Sequence, residues 1–122
     1  MKMNEARLSQ KIIQIVKYRG LYGTKLSDRF QVGLPDIYIS GGRWIEVKNT
    51  FCKTSADIWA MTSPEQRNYA RRLMEAGDKV WLLTGIQFKE GQYYHMIPFI
   101  ELKERVYVDM CHPSLEYLLG QI

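Results

Sequence analysis

Gly33-Leu34-Pro35-Asp36-Ile37-Tyr38-Ile39-Ser40-Gly41-Gly42-Arg43-Trp44-Ile45-Glu46-Val47-Lys48 is the stretch whose reading decides the fold. It reads as two short strands, residues 37–39 and 44–47, joined across Gly41-Gly42. Side chains alternate faces along a strand, so Glu46 and Lys48 fall on one side, about 7 Å apart along the chain. Asp36 stands at the open end of this hairpin, and register decides whether it joins them. A two-residue turn at Gly41-Gly42 pairs Ser40 with Arg43 and sets Asp36 opposite Val47, on the wrong face. A three-residue loop, residues 40–42, pairs Ile39 with Arg43 and Asp36 with Glu46. That register gathers Ile37, Ile39, Ile45 and Val47 on one face and Asp36, Tyr38, Trp44, Glu46 and Lys48 on the other. Because a one-residue slip turns every side chain over, the hydrophobic pattern selects the three-residue loop and, with it, the clustered acids. A bulge near Pro35 leads to the same end.

Two carboxylates converging beside a lysine suit a hard divalent cation. Magnesium prefers oxygen ligands, keeps several waters and takes one or two protein carboxylates. Such an ion polarises a phosphodiester and lowers the pKa of an attacking water, while a lysine positions that water or offsets developing charge. A surface hairpin carrying an ordinary cross-strand ion pair uses the same residue types.

Gly-x-Pro-Asp followed by Ile-Glu-Val-Lys resembles the PD-(D/E)XK nuclease superfamily. Within it the chain is most similar to the virus-type replication-repair nuclease (VRR-NUC) domain, with archaeal Holliday-junction resolvases close behind. The resemblance runs from the helix carrying Glu5 to the strand at residues 80–86. It implies that Asp36 and Glu46 are metal ligands, with the Val47 carbonyl a third. It also implies that Lys48 is the catalytic lysine, Glu5 the acid of the first helix and Gln66 the glutamine of the helix after the motif. The implied cofactor is Mg2+, with Mn2+ able to substitute.

At 122 residues, with 46% hydrophobic and 25% charged residues, the chain is expected to be one domain, 1–122, with a real core. No apolar run approaches the roughly 20 residues that span a bilayer, and the N-terminus lacks the apolar segment of a signal peptide. A cytoplasmic protein is expected, acting in a host cell if virus-encoded. The net charge of +4 favours a polyanionic partner such as nucleic acid. Cys52 and Cys111 fit reduced thiols better than a disulfide framework. With His95 and His112 they form no C-x-x-C pattern, so a zinc site is not expected.

Residues 4–19 read as a helix, capped by Asn4 and stopped by Gly20, with Leu8, Ile12, Ile15 and Val16 as its apolar stripe. Glu5 lies on that stripe, where it either joins the site or simply favours the helix dipole. A first strand is expected within residues 24–32. The Gly20-Leu21-Tyr22-Gly23 loop reads as a flexible connection able to drape over a substrate. Residues 49–62 read as a connection too apolar for a linker. Ser63-Pro64-Glu65-Gln66 then opens a second helix in capping-box form. Tyr69, Ala70, Leu73 and Met74 are its buried face. Gln66 therefore either faces the acids or returns to cap the Ser63 amide. Residues 80–86 form a strand apolar on both faces, residues 93–100 another, with Pro98 at an edge or end. Residues 106–110 add a short strand, and residues 113–119 a short helix.

The order helix, strand, hairpin, helix, strand, strand predicts an α/β protein, a restriction-endonuclease-like α/β/α sandwich with a mixed central sheet. The expected function is magnesium-dependent endonucleolytic hydrolysis of DNA, branched or Holliday-junction DNA above all, by a homodimer. Two alternatives stand beside it. One is a sequence-specific, restriction-type nuclease; the other is a non-catalytic nucleic-acid-binding module on the same fold.

Overall fold

The computed structural model describes residues 4–26, 32–51, 55–57, 59–99 and 105–122. Helix α1 (Glu5–Tyr18) begins at Asn4, whose side chain accepts from the Arg7 amide. Its stripe of Leu8, Ile12 and Val16 is buried, with Ile15 packed half-buried beside it. Strand β1 (Gly23–Lys25) runs antiparallel to β2 (Ile37–Ile39), and β2 runs antiparallel to β3 (Arg43–Phe51). Helix α2 (Pro64–Glu75) then crosses over to β5 (Lys79–Phe88), which is parallel to β3, and β6 (Gly91–Pro98) closes the order β1-β2-β3-β5-β6. A separate two-stranded ribbon pairs β4 (Ser55–Asp57) with β7 (Arg105–Tyr107). The chain ends in helix α3 (Leu115–Leu119), with the Ser114 hydroxyl as its cap.

The register is that of the three-residue loop: Ile39 faces Arg43, Tyr38 faces Trp44 and Ile37 faces Ile45. Gly41 and Gly42 both hold positive φ, at 96° and 71°, where a side chain would clash with the backbone. The sheet separates two apolar layers. Ile37, Ile39, Ile45, Val47 and Leu83 pack with α1 and α3. Val80, Leu82, Ile86 and Phe88 pack with Ala70 of α2 and Val106 of β7. Helices on both faces of a five-stranded mixed sheet make the α/β/α sandwich.

Several boundaries differ from the sequence reading. Strand β3 extends to Phe51, because β5 offers a partner at every position from Arg43↔Lys79 to Phe51↔Gln87. The Gly20–Gly23 segment is not a free drape. Leu21 N donates to Val16 O at 3.0 Å, and Tyr22 O accepts from Ser40 N at 2.9 Å, which ties it to helix and hairpin. Of the strand expected within residues 24–32 the sheet holds only Gly23–Lys25, and residues 27–31 lie outside the described part, as does Ile100. Residues 108–110 form a single 3-10 turn rather than strand. Along the outer edge of β6, Tyr94 and His112 exchange two backbone hydrogen bonds of 2.8 Å. No helix among the described residues is long and apolar enough to cross a membrane.

Candidate active site

Asp36 is the residue at which β2 has not yet begun, and two bonds fix it. Its carbonyl accepts from Leu26 N at 2.8 Å. Its Oδ2 accepts from Val47 N, also at 2.8 Å, where a further residue of β2 would otherwise have paired. The carboxylate thus lies against β3 beside Glu46. In a strand the carbonyl turns to the same side as the amide of its own residue. The Val47 carbonyl therefore faces Asp36 rather than β5. Gly33 sets the approach of this loop to α2. It holds φ at +91°, and a Cβ there would stand 2.5 Å from the Glu65 carbonyl oxygen.

Glu46 is only 2% exposed, on the α2 side of the sheet. Its Oε2 accepts from Gln66 Nε2 at 3.0 Å and faces Lys48 Nζ at 3.6 Å. Its Oε1 is buried and meets no donor. Burial, reinforced by the charge of Asp36 and opposed by Lys48, pushes the Glu46 carboxyl up to about 8. Gln66 fills both roles that its sequence position left open. While Nε2 holds Glu46, Oε1 accepts from Ser63 N at 2.9 Å, and the Ser63 hydroxyl accepts from Gln66 N at 3.1 Å. The capping box therefore locks the helix start and aims the amide at the acid.

Glu5 remains at the surface, with its carboxyl in charge contact with Lys48, Asp36 and Lys25. Partial burial, opposed by Lys48, holds its pKa above the ordinary value. Among the described residues no three His, Cys, Asp or Glu side chains gather as a metal group. Asp36 and Glu46 remain a two-carboxylate set with Glu5 outside it. Cys52 lies outside the described residues. Elsewhere, His112 Nδ1 accepts from Ser114 N and its ring stacks on Tyr117. Burial and Asp109 push the Cys111 thiol up to about 11. Arg67 donates to the Thr62 carbonyl and hydroxyl at 2.7 and 2.8 Å.

A divalent cation fits this donor set. Lys48 and Gln66 both engage Oε2 of Glu46, which leaves the buried Oε1 as an acceptor without a donor, next to a second carboxylate. An acid pair in this state is stabilised by a hard cation that takes one or two protein carboxylates and otherwise waters. Two residues of the same sheet face escaped the sequence reading. Thr84, the one polar side chain of the run at 80–86 apart from the indole of Trp81, is fully buried across from Lys48. His95 stands across from Thr84 on β6. The only signal was that hydroxyl inside an otherwise apolar strand.

No family model matches the chain, and no curated protein matches it in sequence. Solved structures do match. Hjc, a Holliday junction resolvase from the archaeal hyperthermophile Archaeoglobus fulgidus, aligns with a TM-score of 0.60 at 12% identity, covering 95% of either chain. At that identity the likeness is one of architecture. The chain has a restriction-endonuclease-like fold.

Proposed function

We propose that this chain is a metal-dependent DNA endonuclease, selective for branched DNA such as a Holliday junction and acting as a homodimer. The observation that carries the proposal is the convergence of Asp36 and Glu46, with Glu46 Oε1 buried and lacking a donor while its other oxygen is held by Gln66 and Lys48. Mg2+, or Mn2+ in its place, would be held by Asp36, Glu46 Oε1 and the Val47 carbonyl, with Glu5 reaching it through water. Bound there, the ion supplies a Lewis acid and a more acidic water.

The chain's own residues supply the rest. Gln66 fixes the rotamer of Glu46. Asp36 is held against β3 by the Val47 amide, so both carboxylates are set before substrate arrives. Lys48, with its side chain 14% exposed, offers an ammonium that orients a water and offsets charge on the phosphodiester. The selection of branched DNA is supported by the shared architecture with the archaeal resolvase. Assignment to the virus-type replication-repair group rests on the Asp36, Glu46, Lys48 motif.

The test is a panel of four-way junction, flap, single-stranded and linear duplex DNA, each with Mg2+, Mn2+ or chelator. Junction cleavage is expected with either ion and none with chelator, falling by about 10²-fold or more in Glu46→Gln and Lys48→Ala. Absence of cleavage on every substrate, or activity that survives Glu46→Gln, overturns the proposal. Cleavage confined to a particular sequence in linear duplex would replace it with the restriction-type reading.

A further inference from the structure

Beyond the two acids, the sheet face that carries Glu46 continues as a polar row. Lys48 of β3 is in register with Thr84 of β5, and Thr84 with His95 of β6. Thr84 is fully buried and His95 is 7% exposed, although their neighbours along β5, Leu82 and Ile86, are apolar. Thr84 Oγ1 and His95 Nδ1 are both buried without a hydrogen-bond partner. Lys48 shows the complementary shortfall. Its ammonium carries three donors, and among the described residues its one ion pair is with Glu46, at 3.6 Å.

We propose that Thr84 and His95 hold an internal water against Lys48 and act as positioning residues for its ammonium. Cross-strand partners on one face stand about 4.5–5.5 Å apart at Cβ. In this structure the hydroxyl and the imidazole nitrogen do not bond each other, and one water between them would serve both, since an internal water needs two to four polar partners of the kind gathered here. Burial holds the His95 pKa below its usual value, so the ring is neutral and presents one donor and one acceptor. Leaving a buried hydroxyl unpaired is more costly than ordering a water. With its ammonium steadied from the sheet floor, Lys48 keeps a fixed aim at the carboxylate site. The role in cleavage rests on the nuclease reading given above; the water-linked row does not.

The experiment is a double-mutant cycle on stability, read together with kinetics. Thr84→Val removes the hydroxyl at constant volume. If the hydroxyl is merely buried, the substitution is neutral or stabilising, and equally so in a Lys48→Met background. The row predicts instead that Thr84→Val lowers the folding equilibrium constant about tenfold in the parent chain and has little effect in Lys48→Met. His95→Asn, which keeps a polar atom at the Nδ1 position, should retain stability that His95→Leu loses. In Thr84→Val, kcat on the cleaved DNA should fall about tenfold with KM unchanged, the mark of a group acting only at the chemical step. Equal costs of Thr84→Val in both backgrounds overturn the proposal. Coupling without any change in kcat overturns the positioning role. Coupling in a protein that cleaves no DNA upholds the row and overturns the nuclease reading alone.

Discussion

Gln66 holds Glu46 and Ser63 at once, its Nε2 on the carboxylate at 3.0 Å and its Oε1 on the helix-capping amide at 2.9 Å. One side chain therefore links the start of α2 to the aim of an acid on β3. Gln66→Glu separates the two functions. A glutamate at this position still accepts from the Ser63 amide, but it sets a third carboxylate against Glu46. Near-parental thermal stability at acidic pH is expected, with cleavage at neutral pH reduced about tenfold or more. Gln66→Ala, by contrast, leaves the Ser63 amide without its acceptor while the Ser63 hydroxyl still caps the helix, at a cost of about 1 kcal/mol. A Gln66→Glu protein with full activity would show that the contact does not serve the chemistry.

Metal-free stability should fall with rising pH over a window set by Glu46. An unfolded glutamate titrates near 4.5, and Glu46 in the folded protein at about 8. Between these values the folded state keeps a proton that the unfolded chain has released, so the stabilisation is full below the window and is lost as pH approaches 8. The loss is on the order of a few kcal/mol. Thermal melts in chelator from pH 4 to 9 should show this slope in the parent and a flatter profile in Glu46→Gln. An ion held as proposed by Glu46 would displace the proton, so adding Mg2+ or Mn2+ below pH 8 should release up to about one proton, measurable by calorimetry in buffers of different ionisation enthalpy. A parent profile as flat as that of Glu46→Gln would refute the assignment.

Asp36→Asn should leave the fold intact while disabling the site. The amide oxygen of asparagine still accepts from Val47 N, so stability should stay within about 1 kcal/mol, yet the charge that helps raise Glu46 is gone. Glu46 then titrates lower, and the pH window narrows. Asp36→Ala additionally leaves the Val47 amide without its acceptor, at roughly 1–3 kcal/mol. Urea unfolding of the two variants side by side is the measurement. Equal stabilities would remove the clasp as a structural element.

Gly33→Ala is expected to destabilise by about 1–3 kcal/mol, because the residue holds φ at +91° and a Cβ would meet the Glu65 carbonyl oxygen at 2.5 Å. The loop carrying Asp36 must then move off α2, so cleavage should fall together with the melting temperature. Parental stability in this variant would show that the loop has another resting place.

Much of this is legible in the sequence itself. Hairpin register followed from the alternation of Ile37, Ile39, Ile45 and Val47, since only one pairing buries all four. Asn4 and Ser63 announced their helices through local chemistry alone. What failed to show depended on partners distant in sequence. The length of β3 is set by β5, thirty-six positions later, as in Arg43↔Lys79. The place of Thr84 and His95 in the row from Lys48 follows from three strands lying side by side, which no local period encodes. Sequence spacing leaves Gln66 facing one way or the other, because it does not reveal that an amide reaches in two directions.

The bridge between Tyr94 and His112 has a consequence for assembly. The outward-facing backbone of β6 is already taken at Tyr94 by the C-terminal segment, and Pro98 offers no amide farther along. A neighbouring molecule is thereby denied a continuous ladder on that flank, which guards against fibril-like stacking. On the β6 flank, a two-fold mate would therefore meet side chains rather than an open strand edge.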